Sequence, residues 1–344
     1  MVAHYRMLLH WLKLDIQSRG LSFGDWPEVL YDSNDLRAHF PGNERALSVR
    51  IELAESAHAI GIEPITRDNG EFAEIGLFGG MCWFRDGRFY SVCDAEFSSE
   101  AEFIPADGRV SINLGGRYRS VSPESMLALV VKQLMQSFAL PFYRLKFLHG
   151  AAVTRAGRTM ILSGPGGAGK TTAALRLLQY GYTLLSDDGP LFTHHDGVTS
   201  ALSSLDYSQA TDRTLELLPF LRETIVGERD HRGKYRLLTR RVQPDESWRQ
   251  PQRVTHMIHL ERRKCSAPHL REIDRTRASA ALIDEAMTVF RAPAFAGAGI
   301  FRAHSELTFD TVTSLVRDAR AYELSYGDEH LDLIPALLGG IDDR

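Results

Sequence analysis

Eight consecutive residues, Gly164-Pro165-Gly166-Gly167-Ala168-Gly169-Lys170-Thr171, fill the pattern GxxxxGK[ST] completely, and Thr172 follows them. The chemistry open to such a run is phosphate binding. Glycines let the backbone turn so that successive N–H groups face an anion, and a helix beginning at the lysine adds its partial positive end. Lys170 would reach the β- and γ-phosphates of a bound nucleotide, and the Thr171 hydroxyl would ligate Mg2+. The alternative is a glycine-rich turn with a purely structural role. Further on, Asp187 and Asp188 stand side by side. Beside a polyphosphate, one carboxylate can hold Mg2+ through water while the other accepts the proton of an attacking hydroxyl, the two tasks of phosphoryl transfer. Two adjacent ionised carboxylates repel each other there unless a cation lies among them, so bound Mg2+ belongs to the expectation. On its own, an Asp-Asp pair is equally a turn that ends a strand.

Whether these groups meet depends on the elements between them. Thr159 to Leu162 reads as a short buried strand, residues 170–180 as a helix closed by Gly181, and Tyr182 to Leu185 as a second strand. Eleven helical residues descend about 16 Å from the loop and a five-residue strand climbs about 16 Å back. A parallel βαβ unit of those dimensions returns Asp187 and Asp188 to the phosphate loop, at the carboxyl edge where α/β sheets bind ligands. The alternation continues with strands expected at Tyr235–Thr239, Val254–Leu260 and Tyr322–Ser325, and helices near 310–320 and 329–338.

The wider chain has 344 residues, 44% of them apolar and 24% charged. That is enough for about two domains with real cores and too apolar for a disordered chain. With 40 basic and 44 acidic side chains the net charge is −4, which argues against a nucleic-acid coat or a polybasic membrane binder. Three cysteines without CxxC spacing suggest neither a disulfide framework nor a zinc ribbon. The apolar patch at Met7 to Leu12 is too short to span a membrane, and no small-residue cleavage site follows it, so a cytoplasmic protein is expected. Residues 1–118 read as an accessory domain, α/β or mostly β, with strands at Ala46–Ile51 and Met81–Phe84 and a hairpin turn at Asp86-Gly87 before Arg88–Val92. Asn113 to Gly116 punctuates the chain. Ser122 and Pro123 then open a helix whose apolar positions from Met126 to Phe138 share one core-packing face. Residues 119–344 form the expected catalytic domain.

The runs Leu148-His149-Gly150-Ala151-Ala152-Val153, Ile161 to Thr172 and Leu177 to Asp188 together resemble the HPr kinase/phosphorylase family and its HPr-kinase-related branch, over about 40 residues. The preceding helix and the tail from Tyr322 to Leu338 are similar more loosely. The resemblance implies a kinase dependent on ATP and Mg2+ that phosphorylates a serine hydroxyl. It also implies an α/β catalytic domain carrying the phosphate loop, related in fold to phosphoenolpyruvate carboxykinase. By the same resemblance Asp187 is the base, Asp188 helps hold the metal and His149 lies near the transferred phosphate. The family's second signature, Glu-x-Arg-Gly-x-Gly, is absent after Asp188. The remaining metal ligand is therefore open among Asp206, Asp212, Glu216 and Glu223. Neither the reverse, phosphorylase reaction nor HPr as substrate is carried over, and a peptide serine is an alternative acceptor. Family members are often oligomeric, which makes a homo-oligomer an expectation from the resemblance alone.

One charge feature asks for a role. Residues 227–277 hold 14 basic against 7 acidic side chains. Lys234 and Arg236, two apart on an expected strand and so on one face, are candidates to clamp phosphates or substrate. A solvated, charge-guarded strand edge is the competing reading. No aromatic interleaving accompanies the segment, so nucleic acid is not expected as a partner. The sequence thus points to a kinase acting on a protein or peptide serine. The alternatives are a small hydroxylated metabolite as acceptor, such as a sugar or amino acid, and a nucleotide-binding regulatory protein with little catalysis.

Overall fold

The computed structural model describes residues 145–195, 197–203, 208–227, 229, 233–245, 247–287 and 299–341, and the backbone of eight strands between residues 2 and 116. By contacts the chain divides into two units. One comprises 1–143 with 287–306, the other 144–286 with 307–344. That division falls at 143/144, whereas sequence punctuation predicts 118/119. The expected helix after Ser122 lies outside the described residues.

In the first unit the described strands are β1 (Val2–Leu9), β2 (Leu12–Arg19), β3 (Ser48–Ala54), β4 (Glu71–Ile75), β5 (Gly80–Arg85), β6 (Arg88–Val92), β7 (Phe97–Ile104) and β8 (Arg109–Gly116). β1 and β2 pair antiparallel, and Met7, Leu8, Leu9 and Leu12 of the apolar patch belong to them. The other six form a sheet in the order β3-β8-β7-β6-β5-β4, with β3 parallel to β8. Arg85 faces Arg88, as two strands joined by two residues require. The turn residues Asp86 and Gly87 are themselves outside the described set. The punctuation expected at Asn113–Gly116 is instead the end of β8, where pairing with β7 outweighs the two glycines.

The second unit is an α/β layer. Its strands are β9 (Lys146–Phe147), β10 (Ala151–Arg155), β11 (Arg158–Ser163), β12 (Thr183–Ser186), β13 (Leu191–His195), β14 (Val198–Leu202), β15 (Ser208–Ala210), β16 (Ile225–Val226), β17 (Tyr235–Leu237), β18 (Gln252–Arg262), β19 (His269–Glu272) and β20 (Arg320–Tyr326). Its helices are α1 (Lys170–Leu178), α2 (Asp212–Leu217), α3 (Arg275–Met287), α4 (Gly299–Asp318), whose first turns belong to the first unit, and α5 (Ile334–Gly339). The main sheet runs β12-β10-β11-β18-β14-β13-β9, with β20 also on β18 and β19 on β20. β15, β17 and β16 make a small separate sheet.

One feature of this topology was not legible in the sequence. β11 and β12 are each antiparallel to β10, which lies between them, so they are parallel to each other but not neighbours. The βαβ unit is split by an inserted strand. Its geometry is nevertheless the one that spacing demands, because β11 and β12 still end at the same edge. α1 covers the sheet through Ala173, Ala174, Leu175, Leu177 and Leu178, all buried in one core with Val153, Met160, Leu162, Leu184, Ile258 and Leu324. Leu175 and Leu177 alone contribute roughly 2–3 kcal/mol each by leaving water. The helix closes at Leu178, where the N–H of Gly181 reaches the Leu178 carbonyl and that of Tyr182 the Leu177 carbonyl.

Other expected elements shift at their ends. The strand predicted at 235–239 stops at Leu237, and Thr239–Val242 turns into a 3-10 helix instead. The tail helix is 3-10 over Asp328–Leu333 before α5. Lys146 is a buried lysine in β9, opposite Phe192. Burial drops its ammonium from near 10.5 to about 7. Among the described residues no helix is long and apolar enough to cross a membrane.

Candidate functional site

The carboxyl edge of the main sheet gathers the chemistry. Register fixes the level: Ala151 faces Leu162 on one side of β10, and Ala152 faces Ser186 on the other. The start of β10 and the ends of β11 and β12 therefore share one edge. His149, the glycine-rich loop and Asp187-Asp188 all project from it. β18 and β20, both parallel to β11, end there too, with Ser163 beside His259 and His259 beside Glu323.

The loop between Ser163 and Lys170 needs glycine for two different reasons. Gly164 has φ +140, and a Cβ there would sit 2.5 Å from the carbonyl oxygen of Leu260 in β18. Gly169 has φ +85, and its Cβ would collide with the Tyr326 hydroxyl, which instead donates to the Ala168 carbonyl at 2.8 Å. Burial pushes that phenol up to about 12, so it remains a donor throughout the ordinary pH range. The loop is thus pressed onto the ends of β18 and β20. Thr172 ties it sideways to α2 through the Thr214 hydroxyl at 3.2 Å.

Lys170 opens α1 with its side chain folded back over the loop. Its ammonium donates to the carbonyls of Gly164 and Pro165, the second at 3.3 Å. Glu285 of α3 lies 4.0 Å away, and the two side chains are only 8% and 6% exposed. Burial pulls the lysine below its usual range, while Glu285 and Asp188 pull it the other way. The Asp188 carboxylate is 3.2 Å from Nδ1 of His149, with the side chains 38% and 31% exposed.

Asp187 is more deeply placed than Asp188. It is 6% exposed, and its Oδ2 accepts the Gln209 backbone N–H at 3.0 Å, tying the end of β12 to β15. Arg236 lies opposite Gln209 in the neighbouring strand β17. Lys234 precedes β17 rather than belonging to it, so strand alternation does not put it on one face with Arg236. The expected strand and the observed one both begin at Tyr235, one residue after Lys234.

Of the four candidates for a further acidic ligand, Asp212 is engaged by Arg229 at 2.8 Å and Glu216 by Arg213 at 3.1 Å. Glu223 is exposed, and Asp206 lies outside the described residues. Among the described residues no group of three or more His, Cys, Asp or Glu side chains is arranged to hold a metal ion. Thr171 and Asp188 are oxygen donors of the kind that Mg2+ takes, and Mg2+ keeps several waters and needs few protein ligands beside phosphate.

Part of the positive charge of residues 227–277 is paired within the protein. Arg271 and Arg277 both bind the buried carboxylate of Glu323, Arg271 through Nε at 2.9 Å. Burial alone would raise that carboxyl; the two guanidiniums outweigh it and hold it below the usual range. Arg240 stacks 3.7 Å over Trp248 and donates to the Leu184 carbonyl at 3.1 Å. Arg262 pairs with Asp328 beside the loop.

Glu285 is the site residue that the sequence reading passed over. A signal for it existed. It falls in phase with Ala278, Leu282 and Ala286, the buried positions of α3, where an acid is out of place.

No protein-family model matches the sequence, and no curated protein does. Among solved structures, one similar chain is the Hpr(Ser) kinase/phosphatase from Coxiella burnetii, 10% identical, with 57% of this chain and 95% of that one covered at a TM-score of 0.30.

Proposed function

We propose that the protein is a kinase using ATP and Mg2+ that transfers the γ-phosphate to a hydroxyl group, with a serine of a protein or peptide as acceptor. The observation that carries the reading is the meeting, at one sheet edge, of a complete GxxxxGK[ST] loop with an Asp188–His149 pair. Backbone N–H groups of residues 164–169 and the start of α1 bind the phosphate chain. Lys170 exchanges the Gly164 and Pro165 carbonyls for phosphate oxygens. Thr171 and Asp188 hold Mg2+, which when bound offsets charge on the transferred group. The acceptor oxygen forms a bond to the γ-phosphorus as the bond to the β-phosphate oxygen breaks, and the hydroxyl proton passes to the Asp187 carboxylate. Lys234 and Arg236 stand as candidates to neutralise the acceptor side.

A second assignment of the base rests on exposure. Asp188 is 38% exposed and touches His149, whereas Asp187 is nearly buried with one oxygen engaged by Gln209. In that version the Asp188–His149 pair takes the proton and Asp187 fixes the end of β12.

The test incubates the full chain with γ-labelled ATP, Mg2+ and parallel sets of serine peptides, proteins, sugars and amino acids. Label in a serine product supports the reading, and label in a sugar or free amino acid moves the acceptor class. ATP binding without any phosphoproduct supports a nucleotide-dependent regulator instead. Asp187→Asn and Asp188→Asn then separate the bases: the variant that loses transfer about 100-fold or more, with ATP affinity kept, carries the proton. Lys234→Ala with unchanged turnover at saturating ATP removes that residue from the site.

A further inference from the structure

We propose that Glu285 is a positioning residue of the phosphate site, acting through Lys170: it anchors the lysine ammonium from the buried side of the loop so that the opposite side is presented to phosphate. The inference rests on the phosphate-binding reading of the loop given above. Three observations support it.

The first is the set of partners around the ammonium. An ammonium has three donors. Here it faces the Gly164 carbonyl, the Pro165 carbonyl and, at ion-pair distance, the Glu285 carboxylate. The two carbonyls belong to the loop that an incoming phosphate would occupy, and the lysine can surrender them to phosphate oxygens. Glu285 comes from a separate element and needs no displacement. A four-carbon lysine stem is costly to order, and a fixed counter-charge behind it supplies that order before the ligand arrives.

The second is the setting of Glu285. Among the described residues the buried positions of α3 are Ala278, Leu282, Glu285 and Ala286, and Ala278 and Leu282 lie with Ser163 and His259 around one small cavity. A charge on such a face is unfavourable unless it is paired, and the lysine of the loop is its ion-pair partner.

The third is that α3 is fixed independently. Arg277, about two helical turns before Glu285, binds the buried Glu323 of β20. β20 continues to Tyr326, whose hydroxyl holds the Ala168 carbonyl. Helix and loop therefore hang from the same strand, and the separation between Glu285 and Lys170 is set by the sheet.

The experiment measures dissociation constants for Mg-ATP by calorimetry on the full chain as wild type, E285Q, E285D, K170M and K170M/E285Q, together with thermal midpoints of each without nucleotide. Glu285→Gln is expected to weaken Mg-ATP about tenfold. Glu285→Asp weakens it less, and Glu285→Gln in the K170M background changes it by less than about twofold, because the lysine through which it acts is gone. Without nucleotide, K170M/E285Q is expected to melt no lower than K170M. Unchanged or tighter binding by E285Q, or equal weakening in both backgrounds, overturns the proposal. If K170M binds too weakly to measure, the midpoints decide, and additive losses overturn it. A wild type that does not bind Mg-ATP removes the proposed function and this inference together, whereas binding with additive effects removes the inference alone.

Discussion

Replacing Gly164 by alanine tests the geometry of the loop without any ligand. Two costs combine at this position. The backbone has φ +140, a region that side chains rarely enter, and the strain is about 1–2 kcal/mol. The new Cβ would also lie 2.5 Å from the Leu260 carbonyl oxygen, a backbone atom of the central strand β18 that cannot swing aside as a flexible side chain could. Forced overlap of one methyl group in a packed region costs about 1–3 kcal/mol. Together Gly164→Ala should destabilise by about 2–5 kcal/mol and lower the thermal midpoint by about 5–15 °C for a unit of this size. Gly166, two residues on in the same loop, supplies the control. Nothing lies within 4 Å of its hypothetical Cβ. Gly166→Ala should change stability by no more than about 0.5 kcal/mol. The assay is thermal and urea unfolding of both variants, followed by circular dichroism. If Gly164→Ala melts within 2 °C or so of Gly166→Ala, the loop is not pressed against β18 and the placement of the loop is wrong.

Two further outcomes follow from buried charges. An unfolded chain keeps the Lys146 proton to about 10.5, while the folded protein releases it near 7. The unfolded state therefore binds more protons between those values, and stability should rise there by up to roughly 1.4 kcal/mol per pH unit. Urea titrations at pH 6 and pH 10 should show Lys146→Met more stable than wild type at the lower pH and the gap closed at the higher; parallel behaviour of the two proteins refutes the burial of the lysine. Asp187→Ala strips the Gln209 N–H of its acceptor and should cost about 1–3 kcal/mol, whereas Asp188→Ala, at a half-exposed carboxylate, should cost under about 1. Equal losses in urea unfolding would place both side chains in the same environment.

What could be read from the chain was local. The loop, the helix behind it and the strand ending at Ser186 are consecutive, and rise per residue fixes their reach, so spacing alone predicts that the two strands end at one edge of the sheet, as they do. Strand insertion is not local. β10 comes between β11 and β12 through pairings that leave no trace in the hydrophobic pattern of any single strand. Buried charges fail for another reason, because composition treats a lysine or glutamate as surface. Lys146, Glu285 and Glu323 each depend on a partner or a packing environment supplied by a distant segment. The basic excess of residues 227–277 was legible as a number but not in its pairing, since the half-exposed Arg271 and Arg277 both bind the buried Glu323 carboxylate.

The inserted strand has a consequence for how the chain can be altered. In a purely parallel layer only strand endings reach the ligand edge. Because β10 runs the opposite way, a segment entering a strand also arrives there, and it brings His149. The reversal that makes this possible, Arg155 facing Arg158 across Ala156-Gly157, lies at the far edge, one strand length of about 16 Å from the chemistry. Variation is thereby segregated: one rim of the sheet is constrained by reactive groups, and the hairpin at the other can drift, lengthen or accept an inserted tag while the reactive rim stays in register.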